Sequence, residues 1–118
     1  MDRPRILFVC GRNQWRSPTA ERIYRADSRI EVRSAGVSAG SNHQISADDL
    51  VWANLVIVME RRYKARILDI FRDRPDLPRI VSLEIPDDYP LMDEALIKVL
   101  REGVEFHLQQ EFGIEPVP

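Results

Sequence analysis

Four short apolar segments alternate with four helical patterns along this chain of 118 residues, and that alternation limits its fold more than any other feature. The apolar segments are Arg5–Val9, Ile30–Arg33, Leu55–Met59 and Arg79–Leu83. The helical patterns run over Ser17–Ala26, Ser46–Ala53, Arg61–Phe71 and Met92–Phe112. Strands that alternate with helices through short connections are typical of a parallel sheet wound by right-handed crossovers. The sequence therefore predicts an α/β fold with helices on both faces of a four-stranded sheet.

The apolar content of the four segments predicts their order in the sheet. Arg5–Val9 and Leu55–Met59 are the most uniformly apolar, as expected of central strands covered on both faces. The other two segments contain polar residues and are expected at the edges, which gives the order 2-1-3-4. The length is typical of one domain, so we expect residues 1–118 to form a single domain. Ligands of such sheets bind where the strand order reverses, which here is the loop after Val9.

The composition excludes several classes of protein. A single cysteine rules out a disulfide framework, a zinc site of several thiolates and a CxxC redox pair. With 17 basic and 19 acidic residues, the chain has no basic stripe interleaved with aromatic residues, so nucleic acid is not expected as a partner. The apolar run near the N-terminus is too short for a signal peptide or a membrane span. We therefore expect a cytoplasmic protein that does not contact membranes.

The first apolar segment leads directly into Cys10–Pro18, with the sequence CGRNQWRSP. Cys10 and Arg16 lie six positions apart, in a loop that joins a central strand to a helix beginning near Ser17. The backbone N–H groups of such a loop can surround one anion, assisted by the partial positive charge of the helix N-terminus. Arg16 can bind two oxygens of that anion at once. The same groups favour the thiolate of Cys10, so the sequence predicts a nucleophile inside an oxyanion site.

The segment FVCGRNQWRSPTAE resembles the signature of the low-molecular-weight protein tyrosine phosphatases, which reads roughly V-C-x-G-N-x-C-R-S-P-x-A-E. Ser34–Gly36, Leu55–Glu60 and Ile85–Tyr89 are similar to further segments of that family, the last one to its aspartate-proline-tyrosine loop. The resemblance runs in order through most of the chain. It implies the fold of the family, the hydrolysis of a phosphotyrosine protein or a small phosphoester, and a reaction without metal or cofactor.

The resemblance also assigns roles to individual residues. Cys10 would form a phosphocysteine, Arg16 would bind the phosphoryl oxygens, and Asp87 would protonate the leaving group. The phosphate-binding residues would be Gly11, Arg12, Asn13, Gln14, Trp15, Arg16 and Ser17. The supporting residues would be Ser34, Asp88 and Tyr89. Within these sets, Ser17 would also hydrogen-bond the thiolate, and Asn13 and Ser34 would brace the loop.

The chain departs from the family pattern at three places in and beside the loop. Arg12 stands where the family has glycine, which costs about 1–2 kcal/mol if that position needs a positive φ. Trp15 replaces a second cysteine, so the disulfide that protects many members of the family cannot form. Between Gly36 and Ser46 the chain is shorter than in the family and lacks much of the wall beside the pocket. The substrate selectivity of the family is therefore not carried over.

The acid and the reaction class each leave alternatives open. Asp88 replaces the proline of the acid loop, and alignment on Tyr89 favours Asp87 over Asp88 as the acid. An arsenate reductase that uses an external thiol would fit the same loop, whereas one that relays a disulfide needs more cysteines. A phosphate-binding module without turnover is suggested by Arg12 and by the shortened wall. The presence of Asp87 argues against it, because a binding module has no use for a general acid.

Overall fold

The computed structural model describes residues 3–116, and within them four strands alternate with four helices. The strands are β1 (Arg5–Cys10), β2 (Glu31–Gly36), β3 (Leu55–Val58) and β4 (Arg79–Ser82). The helices are α1 (Arg16–Tyr24), α2 (Ala47–Trp52), α3 (Arg61–Ile70) and α4 (Glu94–Phe112). All strands pair in parallel in the order β2-β1-β3-β4. The order predicted from apolar content is confirmed.

The two central strands are buried along almost their whole length, which is why their sequences are continuously apolar. All of β3 and all of β1 except its first residue are buried. The strand order reverses between them, so right-handed crossovers place α1 on one face and α2 and α3 on the other. The 19-residue α4 packs against α1 through an apolar stripe of Leu96, Leu100, Val104 and Leu108. No helix in residues 3–116 combines the length and the apolar composition needed to cross a bilayer.

Most elements begin or end within one to three residues of the predicted boundaries, and two of the differences lie beside the loop after β1. Strand β2 continues to Gly36, because that residue pairs with Cys10 at the end of β1. Helix α1 begins at Arg16, with Trp15 as an N-cap residue that makes no side-chain cap hydrogen bond. The sequence predicts that this helix begins near Ser17, a residue type that often caps helices. Its hydroxyl contacts the thiol of Cys10 instead.

A cluster of charged groups ties the start of β2 to α1 and α4. Arg29 donates hydrogen bonds to Asp27 at 2.7 Å and to Glu105 of α4 at 2.8 Å. Tyr24, the last residue of α1, donates its hydroxyl to Glu105 at 2.7 Å. The hydrogen bonds from Arg29 lower the pKa of both Asp27 and Glu105. The cluster therefore stabilises the folded chain when both carboxyl groups are ionised.

We expect acid to weaken the fold through this cluster. Asp27 and Glu105 have lower pKa values in the folded chain than their ordinary 3.8 and 4.5, so their contribution is complete above those values. The contribution is lost as the pH falls through the depressed folded values. Arg29→Met should lower the free energy of unfolding at pH 7 and flatten its pH dependence below about pH 5, measured by urea denaturation. Arg72→Met, at an exposed position, should leave the pH dependence of the free energy of unfolding unchanged. The prediction is contradicted if Arg29→Met shows the same pH dependence below about pH 5 as the wild type.

Candidate functional site

The loop between β1 and α1 turns its carbonyl groups outward onto the neighbouring segment 37–42. Backbone N–H groups donate from Val37 to Cys10 at 3.1 Å, from Ser38 to Gly11 at 2.9 Å and from Asn42 to Arg12 at 3.2 Å. The side-chain amide of Asn42 donates to the carbonyl of Asn13 at 2.9 Å. Consecutive carbonyl groups from residues 10–13 are therefore held on the outside of the loop.

The same arrangement turns the backbone N–H groups of the loop toward the pocket. Across a planar trans peptide the carbonyl and the following N–H point in opposite directions, so the N–H groups of residues 11–14 face inward. The N–H groups of residues 15 and 16 lie at the start of α1, where a helix leaves its donors free. Within residues 3–116 no protein acceptor is hydrogen-bonded to any N–H of residues 11–16. Such unpaired donors are rare, and a series of them around a pocket indicates an anion as their partner.

The left-handed residue of the loop is Asn13 rather than Arg12. Asn13 has a φ of 55°, a region that asparagine tolerates better than most residues. Its side-chain amide donates to the hydroxyl of Ser17 at 3.0 Å, which fixes the turn. Arg12 has no positive φ, so its presence at the glycine position of the family brings no backbone strain.

The hydrogen bonds from segment 37–42 to the loop require the backbone of the loop to pass very close to Gly36. A Cβ atom at this position would lie 2.8 Å from the backbone nitrogen of Asn13 and 2.9 Å from the carbonyl carbon of Arg12. Both atoms belong to the backbone, so neither can move aside without opening the loop. The chain after Gly36 was interpreted from the sequence as lacking much of the wall beside the pocket. This segment instead holds the loop on the side that faces away from the pocket.

Cys10 ends β1 at the floor of the pocket. It is 3% exposed, and its Sγ lies 2.9 Å from the hydroxyl oxygen of Ser17. The Ser17 hydroxyl also lies 3.3 Å from the carbonyl of Ala35 on β2. The structure therefore places Ser17 against the thiol, where the resemblance had put it.

Arg16 is held by three groups and keeps one edge free. Its Nη1 donates to Glu60 at 2.5 Å and to the carbonyl of Ile85 at 2.7 Å, and its Nη2 donates to the hydroxyl of Tyr63 at 2.7 Å. Its Nε is buried without a hydrogen-bond partner in residues 3–116, and the nearest carboxylate oxygen, on Asp87, is 3.6 Å away. Because Nη1 is fully used, the edge formed by Nε and Nη2 is available to bind two oxygens of one anion.

Glu60 and Tyr63 stabilise the charge of Arg16 in a buried place. Burial opposes the cation, but the hydrogen bonds to Glu60 and Tyr63 outweigh it and raise the pKa of Arg16. Burial likewise opposes ionisation of Glu60, and its hydrogen bonds with Arg16, Tyr63 and Arg62 lower its pKa nonetheless. Burial raises the pKa of Tyr63, which keeps the phenol protonated. Neither contact to Arg16 was predicted from the sequence, which places Glu60 at the end of a segment similar to the family and Tyr63 within a predicted helix.

The pocket above the loop has a volume of about 260 Å³. The loop residues that line it are Cys10, Gly11, Arg12, Gln14, Trp15 and Arg16. Ser38, Arg62, Tyr63 and Asp87 complete the lining. Asp87 is thus the acidic residue of the 85–89 loop that reaches the pocket. Its neighbour Asp88 is exposed outside the lining, and the half-buried Tyr89 packs against the core.

Ser34, which was expected to brace the loop, makes its side-chain hydrogen bond to α1. Its hydroxyl donates to the carboxylate of Glu21 at 2.6 Å. This hydrogen bond ties β2 to α1 rather than to the residues around Cys10. The bracing role belongs to Asn42 and its neighbours, which no side-chain motif in the sequence marks.

A comparison with protein families finds one matching segment. Residues 5–51 match the sequence model of the family described as low molecular weight phosphotyrosine protein phosphatase. The matched segment contains β1, the loop, α1, β2 and the bracing segment 37–42. No curated protein sequence matches the chain significantly.

Solved structures share the fold over nearly the whole chain. SP-PTP, a low molecular weight protein tyrosine phosphatase from Streptococcus pyogenes, is similar with a TM-score of 0.76 and 18% identity, covering 92% of this chain and 93% of that one. The tyrosine phosphatase Wzb from Escherichia coli K30, crystallised with phosphate, is similar with a TM-score of 0.72 and 20% identity. The match covers 93% of this chain and 99% of that one. The YwlE arginine phosphatase from Geobacillus stearothermophilus is similar with a TM-score of 0.59 and 24% identity. The match covers 92% of this chain and 97% of that one. At these identities the likeness establishes the fold that the sequence predicts.

We expect Asn42→Ala to weaken the binding of inorganic phosphate about three- to tenfold, because the carbonyl of Asn13 loses a hydrogen bond worth about 0.5–1.5 kcal/mol. Titration calorimetry measures the affinity. Asn54→Ala is a matched control, since Asn54 accepts a hydrogen bond from the N–H of Arg5 at 2.8 Å, at the opposite end of β1. Both variants should lose similar stability in urea. Unchanged phosphate affinity in Asn42→Ala would contradict the bracing role.

Proposed function

We propose that this protein is a member of the low molecular weight protein tyrosine phosphatase family and that it hydrolyses phosphomonoesters through a phosphocysteine; the matching segment and the shared fold support this. The observation that carries the proposal is one pocket that contains Cys10, the acceptor-free N–H groups of residues 11–16 and the free edge of Arg16. A tetrahedral phosphoryl group has the charge and the oxygen arrangement to satisfy all of these donors. The substrate in this proposal is a phosphotyrosine protein or a small aryl phosphoester.

The first chemical step transfers the phosphoryl group to sulfur. The Cys10 thiolate attacks phosphorus, a sulfur–phosphorus bond forms, and the bond between phosphorus and the leaving oxygen breaks. The N–H groups of residues 11–16 and the guanidinium of Arg16 stabilise the negative charge on the three equatorial oxygens. Asp87, at the pocket 3.6 Å from Arg16, gives its proton to the leaving oxygen.

The second step returns the enzyme to its starting state. A water molecule attacks phosphorus, the sulfur–phosphorus bond breaks, and the Asp87 carboxylate takes a proton from the water. The released thiolate of Cys10 accepts a hydrogen bond from the Ser17 hydroxyl, which lies 2.9 Å away. The products are the dephosphorylated hydroxyl compound and inorganic phosphate. Because this chemistry requires a reduced thiol, we place the protein in the cytoplasm, where thiols stay reduced.

Cys10→Ser and Arg16→Ala should each reduce the hydrolysis of 4-nitrophenyl phosphate to the background rate, measured by release of nitrophenolate. The first variant removes the nucleophile, and the second removes the buried cation that binds the phosphoryl oxygens. Arg25→Ala, at an exposed position following α1, is the control that should keep wild-type activity.

Each contrary result would support a different mechanism or function. Turnover by purified Cys10→Ser would exclude the phosphocysteine. Phosphate binding by the wild type without hydrolysis of any phosphoester or phosphoramidate would favour a binding module. Arsenite formation that depends on an added thiol, in the absence of phosphatase activity, would favour an arsenate reductase.

Asp87→Ala should lower kcat/KM for phenyl phosphate by about 10²–10⁴-fold, the usual contribution of a general acid. The loss should be smaller for 4-nitrophenyl phosphate, because nitrophenolate leaves without a proton. Asp88→Ala changes the same charge in the same loop, but Asp88 does not line the pocket and its removal should have little effect. The opposite order of the two variants would assign the acid to Asp88.

A further inference from the structure

Arg12 carries a positive charge at the pocket that no carboxylate in residues 3–116 pairs with. Arg12 is exposed and is one of the residues that line the pocket. The other two arginines of the lining share a counter-ion: Arg16 is 2.5 Å and Arg62 is 3.2 Å from the carboxylate of Glu60. Arg12 is therefore the lining cation with the most charge left for a ligand.

The position of Arg12 places that charge at the mouth of the pocket rather than at its floor. Arg16, which reaches the floor, is 2% exposed, whereas Arg12 is exposed to solvent. The inward N–H groups and the free edge of Arg16 already meet the oxygens of a phosphoryl group. Trp15, 45% exposed, lines the same pocket and offers a flat apolar face to the rest of a substrate. Arg12 thus lies next to the part of a bound substrate that extends out of the pocket, which is the leaving group.

We propose that Arg12 selects substrates whose leaving group carries a second anionic group, such as a carboxylate or another phosphate. The proposal rests on the proposed function, since it concerns the leaving group of that reaction. A guanidinium binds such groups through two parallel hydrogen bonds. Glycine in the family's pattern offers no side chain at this position, so the selectivity belongs to this chain. Because the charge is exposed, the gain in affinity is modest and falls with added salt.

Binding of two phosphonates, which cannot be hydrolysed, tests the selectivity without requiring turnover. The wild type should bind 3-carboxyphenylphosphonate about three- to tenfold more tightly than phenylphosphonate at low salt, measured by titration calorimetry. Arg12→Ala should remove this difference, and added sodium chloride should reduce it in the wild type. Arg25→Ala lowers the net charge equally from an exposed position and should keep the difference.

Two results would overturn the selectivity. The first is a wild type that binds both phosphonates equally. The second is an Arg12→Ala variant that loses the same affinity for both, because Arg12 would then act on the phosphoryl group itself. Cys10-dependent hydrolysis of phenyl phosphate with either result leaves the proposed function intact. If the wild type prefers the carboxylated phosphonate but hydrolyses no phosphoester, the selectivity of Arg12 is supported and the proposed function is contradicted.

Hydrolysis then distinguishes the two sources of a second anion. One arm compares kcat/KM for 3-carboxyphenyl phosphate and phenyl phosphate. The other compares phosphotyrosine peptides with glutamate or alanine next to the phosphotyrosine. A gain of about three- to tenfold, lost in Arg12→Ala, supports a small carboxylated phosphoester in the first arm and an acidic phosphoprotein segment in the second. No gain in either arm overturns the proposal.

Discussion

The hydrogen bonds that segment 37–42 donates to the carbonyl groups of residues 10–13 hold the rest of the site in place. A ring of N–H groups that converge on one pocket without protein acceptors is unfavourable in the free protein, because a polar group with no hydrogen-bond partner raises the free energy. Peptide groups in a free loop would rotate to relieve that cost. Here the opposite side of each peptide is already bonded, and Gly36 lets the bonding segment approach closely enough. The anion site is therefore formed before any anion arrives.

Much of the fold could be predicted because apolar content and burial correspond so directly in a parallel sheet. The continuous runs in β1 and β3 marked the central strands, and their order then located the loop that begins with Cys10. The predicted start of α1 was wrong by one residue. Ser17 is a good capping residue in isolation, but its hydroxyl is used by the buried thiol. Tertiary contacts therefore overrode a local preference at the functional site.

The missed parts of the site are those in which distant segments meet. Glu60 follows β3, Tyr63 lies on α3 and Ile85 follows β4, and all three contact Arg16 because parallel strands bring their carboxyl ends to one edge. The brace could not be predicted because most of its bonds join backbone groups, which leave no pattern of residue types. The hydrogen bond from Ser34 to Glu21 was not predicted for a related reason, since it joins residues of two different elements.

The short connection after Gly36 also restricts how this pocket can diversify during evolution. Segment 37–42 braces the loop and, through Ser38, forms part of the pocket wall. A substitution or insertion that reshapes this wall therefore disturbs the loop as well. Arg12, Gln14 and Trp15 also line the pocket, and their side chains make none of the bracing bonds. New substrate preferences are accordingly most accessible through exchanges at these three positions, within the same loop that binds the anion.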